Sequence, residues 1–419
     1  MSDGGGTASE ADRGRSAADD AAARSGRLGE VLAASLRLGL TSFGGPIAHL
    51  GYFRHEYVER RGWLDDASFA DLVALSQVLP GPTSSQLGIA IGARRAGMAG
   101  GLAAWLGFTL PSAVVMLLLA LLATRVDVAN AGWVHGLKLA AVAVVAQAVV
   151  LMARSLAPDW SRRAIAVAAA AVVLAWGSPV APIAVIAAGA LVGWLGLHGA
   201  RVGAVEPEPE RLLGAPPIPP RVGIASLVAF VALLVALPLL RVVGGHAVEL
   251  VDAFYRSGAL VFGGGHVVLP LLYDAVVVPG WVAPDTFLAG YGAAQAVPGP
   301  LFSFAAYLGA VERPAPNGVG GGLLALVAIY LPSFLLLFGV LPFWDRVRTA
   351  VSFRRALAGT NAAVVGILAA ALYTPIWTSA VTHPVDAVLA AAGFGALVTG
   401  RVPPIAVVAG CALAGALLG

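Results

Sequence analysis

The chain reads as long apolar stretches cut by glycine, proline and short charged patches. Leu28 to Phe53 is apolar but interrupted at Ser42-Phe43-Gly44-Gly45-Pro46, and a charged patch follows from Arg54-His55-Glu56 to Glu59-Arg60-Arg61-Gly62-Trp63. Asp65 then caps an amphipathic run to Leu79, which gives way to Pro80-Gly81-Pro82. Neither proline has a backbone donor, and Pro82 biases Gly81 away from helical geometry. Helix is therefore predicted to stop before Pro80 and to restart near Pro82. Thr83 to Ala93 is a half-span closed by Arg94-Arg95, whereas Met98 to Leu122 and Ala129 to Ala153 are each long enough to cross a bilayer. Ala164 to Trp176 is short and Ala181 to Leu197 marginal, which suggests two tilted helices joined at Gly177-Ser178-Pro179. A polar, proline-rich stretch at 198–221 reads as a linker, and Ile224 to Leu240 is one additional apolar helix.

After that helix the pattern starts again. Phe43-Gly44-Gly45 pairs with Phe262-Gly263-Gly264, Trp63 with Trp281, and Gln77 with Gln295. Pro80-Gly81-Pro82 pairs with Pro298-Gly299-Pro300, and Leu110-Pro111-Ser112 with Leu331-Pro332-Ser333. This ordered series implies duplication. The expected organisation is a disordered cytoplasmic tail at 1–27, a first repeat at 28–197, the cytoplasmic linker at 198–221, an extra transmembrane helix at 222–243 and a second repeat at 247–419.

Composition sharpens the class. The chain is 58% hydrophobic and 12% charged with 52 glycines, outside the soluble range and suited to close helix packing in lipid. The fold class expected is an all-α polytopic membrane protein, two homologous halves in inverted topology, with broken or re-entrant helices in each. A net charge of +3 gives no reason to expect nucleic acid as a partner. A single cysteine, Cys411, excludes an intramolecular disulfide or a multi-cysteine metal site, and no metal or cofactor is expected. No Gly-Lys-Ser/Thr phosphate loop and no catalytic constellation is present, so the chain does not read as an enzyme.

Arginine placement supports the inversion. Arg94-Arg95 and Arg162-Arg163 lie in first-half loops whose counterparts hold only Arg313, while Arg346, Arg348, Arg354 and Arg355 fill a second-half loop whose counterpart holds only Arg125. Positive loops gather in the cytoplasm. Arg54, Arg60 and Arg61 fit that rule if the broken segments fold as re-entrant hairpins with tips at Gly44-Gly45-Pro46 and Pro80-Gly81-Pro82; full crossings are the alternative. The tail and linker are then cytoplasmic and the C-terminus extracytoplasmic, in a multi-pass protein of the inner (plasma) membrane.

These landmarks resemble the chromate ion transporter family in its long, two-domain form. The resemblance is carried by Leu40-Thr41-Ser42-Phe43-Gly44-Gly45-Pro46, Glu59-Arg60-Arg61-Gly62-Trp63-Leu64, Gln77 to Leu87, Ala93-Arg94-Arg95-Ala96-Gly97, Phe262-Gly263-Gly264-Gly265-His266 and Gln295 to Pro300. It implies a secondary active transporter that exports chromate and confers resistance, coupled to protons or membrane potential. Sulfate or another tetrahedral oxyanion is the alternative cargo, and a non-transporting membrane scaffold the alternative of another class. Expected partners are chromate or sulfate, the lipid bilayer and, as an open alternative to the monomer, a homodimer.

A buried dianion needs several donors, which half-helix N-termini aimed at a shared midplane supply. Candidates are the backbone at Gly44, Gly45, Pro46, Pro80, Gly81, Pro82, Gly263, Gly264, Pro298, Gly299 and Pro300, with the hydroxyls of Ser42, Thr83, Ser84, Ser85 and Ser303, the amides of Gln77 and Gln295 and the side chain of His266. The structural alternative is that the glycines and prolines shape tight packing while the serines bond back to helix carbonyls. Lys138, the only lysine, lies inside an apolar run and is a substrate candidate or a snorkelling charge; Arg94 is a candidate for the mouth of the path or a topogenic charge. Proton coupling could use His49, His266, Glu56 or Asp71, each also explicable as structure.

Overall fold

The computed structural model describes residues 26–123, 132–178, 180–197, 218–262 and 265–418, with Pro46, Ile47 and Leu418 described by backbone alone. The expected tail (all but its last two residues), most of the linker, and Gly263 and Gly264 lie outside the described residues. Every described secondary-structure element is helical.

In the first half, α1 (26–41) ends at the Gly-Gly break, and α2 (Gly45–Arg54) continues into a π-helical turn, His55–Arg60. α3 (Asp66–Val78) starts on the Asp65 cap and stops at the Pro-Gly-Pro break. α4 (Thr83–Ala123) restarts there and reverses at Ala96-Gly97, where Gly97 has φ 66°. α5 (Gly132–Leu156), α6 (Trp160–Trp176) and α7 (Ala181–Gly196) complete the half. α6 is a turn longer than the apolar pattern suggests, because the Asp159 cap and the polar turn Trp160-Ser161-Arg162-Arg163 belong to the helix. Trp160 and Trp176, both exposed, bracket it as interface anchors.

α8 (Pro220–Ala259) reverses at Gly245, φ 64°. The Tyr255 hydroxyl reaches the Phe230 carbonyl at 2.9 Å and Arg241 pairs with Asp252 at 3.1 Å, so its two legs run antiparallel. The second half follows with α9 (Val268–Leu272) and its π-helical turn Tyr273–Val277, α10 (Pro284–Ala294), α11 (Phe304–Val311) and α12 (Gly318–Val340). The short α13 (Trp344–Val347), α14 (Val351–Ala371), the short α15 (Thr378–Ala380), α16 (Pro384–Val398) and α17 (Pro404–Leu418) end it. Among the described residues, five helical stretches are long and apolar enough to cross a membrane: Thr83–Ala123, Gly132–Leu156, Pro220–Ala259, Gly318–Val347 and Val351–Ala380.

The broken helices are hairpins whose outer ends meet. Arg95, at the end of the first leg of α4, pairs with Glu30 at the start of α1 at 2.9 Å, and both Arg95 and Arg61 lie against the Trp63 ring. This set of ends defines face A. In the second half His246 heads the second leg of α8, contacts Glu312 just past α11 and stands against Trp281; these ends define face B.

The first leg of α8 relates the two faces. At its start Gly223 packs on Pro342 and Phe343, next to Trp344, whose indole bonds Asp71 of α3, so this is face A. At its finish stand Gly245 and His246, which is face B. The leg is about 37 Å long at the helical rise, enough to cross a bilayer. The hairpins of the two halves therefore open onto opposite faces, and the repeat is inverted.

The halves are also entwined. α14 packs on α6 and α7 of the first half, and α5 packs on α16 and α17 of the second. Backbones touch at glycine, as where Gly189 and Gly193 meet Gly359 and where Gly132 and Gly136 meet Gly415 and Cys411.

Candidate functional site

The hairpin tips converge between the halves. The Gly81 N–H donates to the Val261 carbonyl at 2.7 Å, and the Gly299 N–H donates to the Ser42 carbonyl at 2.9 Å. Ser42 and Val261 are equivalent positions, each preceding a Phe-Gly-Gly break. Each half thus presents the same pair of positions to the other, the reciprocity a two-fold axis imposes. Side chains repeat it: Gly81 abuts Ser333 Oγ, and Gly299 abuts Ser112 Oγ.

Beside this junction is a cavity of about 60 Å³, several times the roughly 10–15 Å³ a single water requires. The first half supplies Gly44, Gly45, His49, Pro82, Thr83, Ser84 and Ser85 from the tips and Val144 and Gln147 from α5. The second supplies Gly265, His266, Gln295, Gly299, Pro300, Leu301 and Phe302, with Ala294, Val297 and Pro404. Among the described residues, no carboxylate lines it.

Local sequence explains why donors face this space. Gly44 caps α2 at φ 94°, a left-handed conformation that glycine adopts without strain. Pro82 starts α4, whose first helical bond runs from Gln86 N–H to the Pro82 carbonyl at 2.9 Å, so the amides of Thr83, Ser84 and Ser85 precede the ladder. Pro300 does the same for the helical turn Leu301–Ser303 that leads into α11. Helix N-termini from both halves therefore point positive ends at one cavity.

Two buried nitrogens remain without partners here, one from each half: His49 Nε2 and Gln295 Nε2. His49 Nδ1 is hydrogen-bonded to Ser84 Oγ at 3.0 Å; with Ser84 donating, the ring proton sits on Nε2. His266 Nδ1 and the Tyr291 hydroxyl are paired at 3.0 Å. Buried donors left unpaired are costly, so these two fit a site completed by an acceptor-rich ligand. A tetrahedral oxyanion is such a ligand.

The other sequence candidates are placed around the cavity or away from it. Pro80, Gly81, Pro298 and Ser42 form the junction without lining the cavity; the Ser42 hydroxyl is buried without a partner. Ser303 turns its hydroxyl back to the Pro300 carbonyl at 2.9 Å. Gln77 is exposed on α3, unlike its counterpart Gln295. Lys138 is paired with Asp285 at 3.0 Å, and Arg94 sits at the end of the first leg of α4, at face A. Glu56 is held by Arg60 and Arg61, and Asp71 by Trp344 and Arg348, so of the proton-coupling candidates only His49 and His266 reach the cavity. The backbone of Pro46 opens α2, and Gly263 and Gly264 lie outside the described residues.

Comparison with known proteins bears on this geometry. The profile described as chromate transporter matches residues 29–194 and 248–416, one stretch in each half. The chain belongs to the chromate transporter family. It is similar to the chromate transport protein of Pseudomonas aeruginosa, 29% identical over 351 residues, which covers 81% of this chain and 79% of that one. The chromate transport protein of Cupriavidus metallidurans is 28% identical over 350 residues, 80% of each. The probable chromate transport protein of Synechococcus elongatus is 27% identical over 343 residues, 80% of this chain and 81% of that one. These relatives are named as transport proteins, not enzymes. No solved structure matches the chain.

Sequence reasoning missed Gln147 and Tyr291. Gln147 is a polar residue inside the apolar run of α5, donates to the Leu397 carbonyl of the other half at 3.0 Å, and lines the cavity of this transporter-family fold. Its polarity in that run was the available signal. Tyr291 carried none, because its partner His266 is 25 residues away on a different element.

Proposed function

We propose that this chain is a secondary active transporter that moves chromate out across the cytoplasmic membrane, driven by the membrane potential or a proton gradient. The observation that carries the reading is the shared cavity, with helix N-termini and unpaired donors from both inverted halves and, among the described residues, no carboxylate in its wall. Such a wall favours a tetrahedral dianion over a cation, since its described residues bring positive helix ends and no negative charge. The names of the similar proteins support chromate as that dianion.

Face A carries Arg60, Arg61, Arg94, Arg95 and Arg348, which supports a cytoplasmic face A by the positive-inside rule. The N-terminal tail and the linker are then cytoplasmic and the C-terminus extracytoplasmic, in the inner membrane. The donor set reads shape and charge rather than the central atom, so sulfate competes for the same site. Radiolabelled chromate flux into everted membrane vesicles tests the reading, with unlabelled sulfate as competitor and an ionophore to collapse the gradient. Chromate accumulation that is abolished by the ionophore and reduced by sulfate is expected. Flux that persists without any gradient but requires ATP would refute it.

A further inference from the structure

The outer ends of the hairpins are built on one plan at both faces but with different chemistry. At face A, Arg95 bonds Glu30 and lies with Arg61 against Trp63. At face B, the equivalent indole is Trp281, and His246 stands edge-on to it with 4.5 Å between ring centroids. His246 Nδ1 meets Glu249 Oε2 at 3.1 Å, and Nε2 meets Glu312 Oε2 at 3.2 Å. Arginine keeps its charge at any physiological pH. Face B sets an imidazole between two carboxyls in the place of that guanidinium.

Counting protons makes the difference concrete. A neutral imidazole has one N–H, so two carboxylates on its two nitrogens require one further proton, on the ring or on a carboxyl. Glu312 is buried, its Oε1 has no partner, and burial pushes its carboxyl up to about 7 against the opposing bond from His246. Side-chain exposure falls from 39% at Glu249 to 13% at His246 and 1% at Glu312, a row that leads a proton inward from water. Among neighbouring charges, Arg313 is exposed and gives its backbone N–H to the Trp281 carbonyl at 3.0 Å. Arg241 is engaged by Asp252, and Asp274 lies on the π-helical turn packed against α8.

We propose that Glu249, His246 and Glu312 form a proton-binding site that clamps the face-B ends of the second-half hairpins, and that loss of its proton frees them for transport. The proposal rests on the transport reading above. With the proton in place, His246 ties the head of the second leg of α8 to the end of α11. Without it, two carboxylates face one neutral ring and one contact is lost. The helical run that begins at Leu301 and Phe302 in the cavity wall ends at Glu312, about 15 Å away at the helical rise. A change at the clamp therefore reaches the cavity through one rigid element. Acid at face B closes the path and alkali opens it, so of the two driving forces named above the clamp requires the membrane potential, not the pH difference.

Two measurements on the full-length protein in proteoliposomes test this. The first is chromate flux as the pH on the face-B side is varied. The second is the pH titration of Trp281 fluorescence, taken as the difference between wild type and Trp281→Phe, since a protonated imidazole against an indole quenches it. Wild-type flux is expected to rise roughly tenfold over two pH units through neutrality, with the fluorescence difference titrating in the same range. Glu312→Gln keeps a neutral hydrogen-bonding side chain and should give low flux that ignores pH and a fluorescence difference that no longer titrates there. His246→Ala removes the tie and should give high flux that ignores pH. A wild-type pH profile in both variants, or a Trp281 signal that does not titrate, would overturn the clamp. Absence of chromate flux in wild type at every pH would instead sink the transport reading, while the fluorescence titration still decides whether the proton site exists.

Discussion

Gly81 shows how much one position carries. Its φ of 131° lies where side chains are strained, its N–H is committed to Val261 of the other half, and a Cβ would meet Gln86 Nε2 at 2.5 Å and abut Ser333 Oγ. Gly299 has φ 102°, but its added Cβ would meet Ser112 Oγ at 3.0 Å, a milder crowding. Gly81→Val should therefore lose more stability than Gly299→Val, by about 1–3 kcal/mol, read as a lower thermal unfolding midpoint in detergent. Equal midpoints for the two variants would contradict that ordering. The importance of this glycine was legible in sequence, since two flanking prolines dictate a helix break whatever surrounds it. The environment of Lys138 was not. Its partner Asp285 is 147 residues away in the other half, and no local pattern reports a contact made across the molecule.

At the scale of elements, each half-helix is held by glycine against the full span that follows it. Gly92 meets Gly100 in the first half and Gly309 meets Gly321 in the second, backbone against backbone. A side chain at Gly309 would enter the neighbouring carbonyl and crowd Ala325 Cβ at 2.6 Å, whereas a Cβ at Gly97 has nothing within 4 Å and meets only the penalty of φ 66°. Gly309→Val is expected to impair assembly, and Gly97→Ala, at φ 66° and ψ −162°, to cost about 1–3 kcal/mol. Size-exclusion profiles and thermal midpoints of the two variants check this, and a monodisperse Gly309→Val protein of wild-type stability would contradict it. The half-helices themselves were readable from proline and glycine. The turns near residues 97 and 245 were read as well, one as the loop at Arg94-Arg95 and the other as the gap between the extra helix and the second repeat, but that a single glycine makes each of them was not. A glycine inside an apolar run looks the same whether it packs against a neighbour or turns the chain.

For the whole molecule, inversion was visible in the placement of arginines, while the exchange of α5, α14 and their partners between halves was not. Apolar helices advertise that they are buried and leave their partner unspecified. Inversion has a direct test in single cysteines at positions 60 and 313, since the native Cys411 is buried. A membrane-impermeant thiol reagent should label the two from opposite sides, and labelling from the same side would contradict the inverted arrangement. The central claim is that the anion binds where the two sets of hairpin tips meet. Equilibrium binding of radiolabelled chromate to the purified protein tests it most directly, comparing wild type with Thr83→Ala/Ser84→Ala and with Lys138→Gln. Ser84 already donates to His49, so the double alanine variant removes one donor to the anion, Thr83. A donor to a charged group contributes about 1.5–3 kcal/mol, so that variant should bind roughly 10- to 100-fold more weakly, and Lys138→Gln should bind as wild type does. Unchanged binding in the double variant with binding lost in Lys138→Gln would place the site elsewhere and contradict the account.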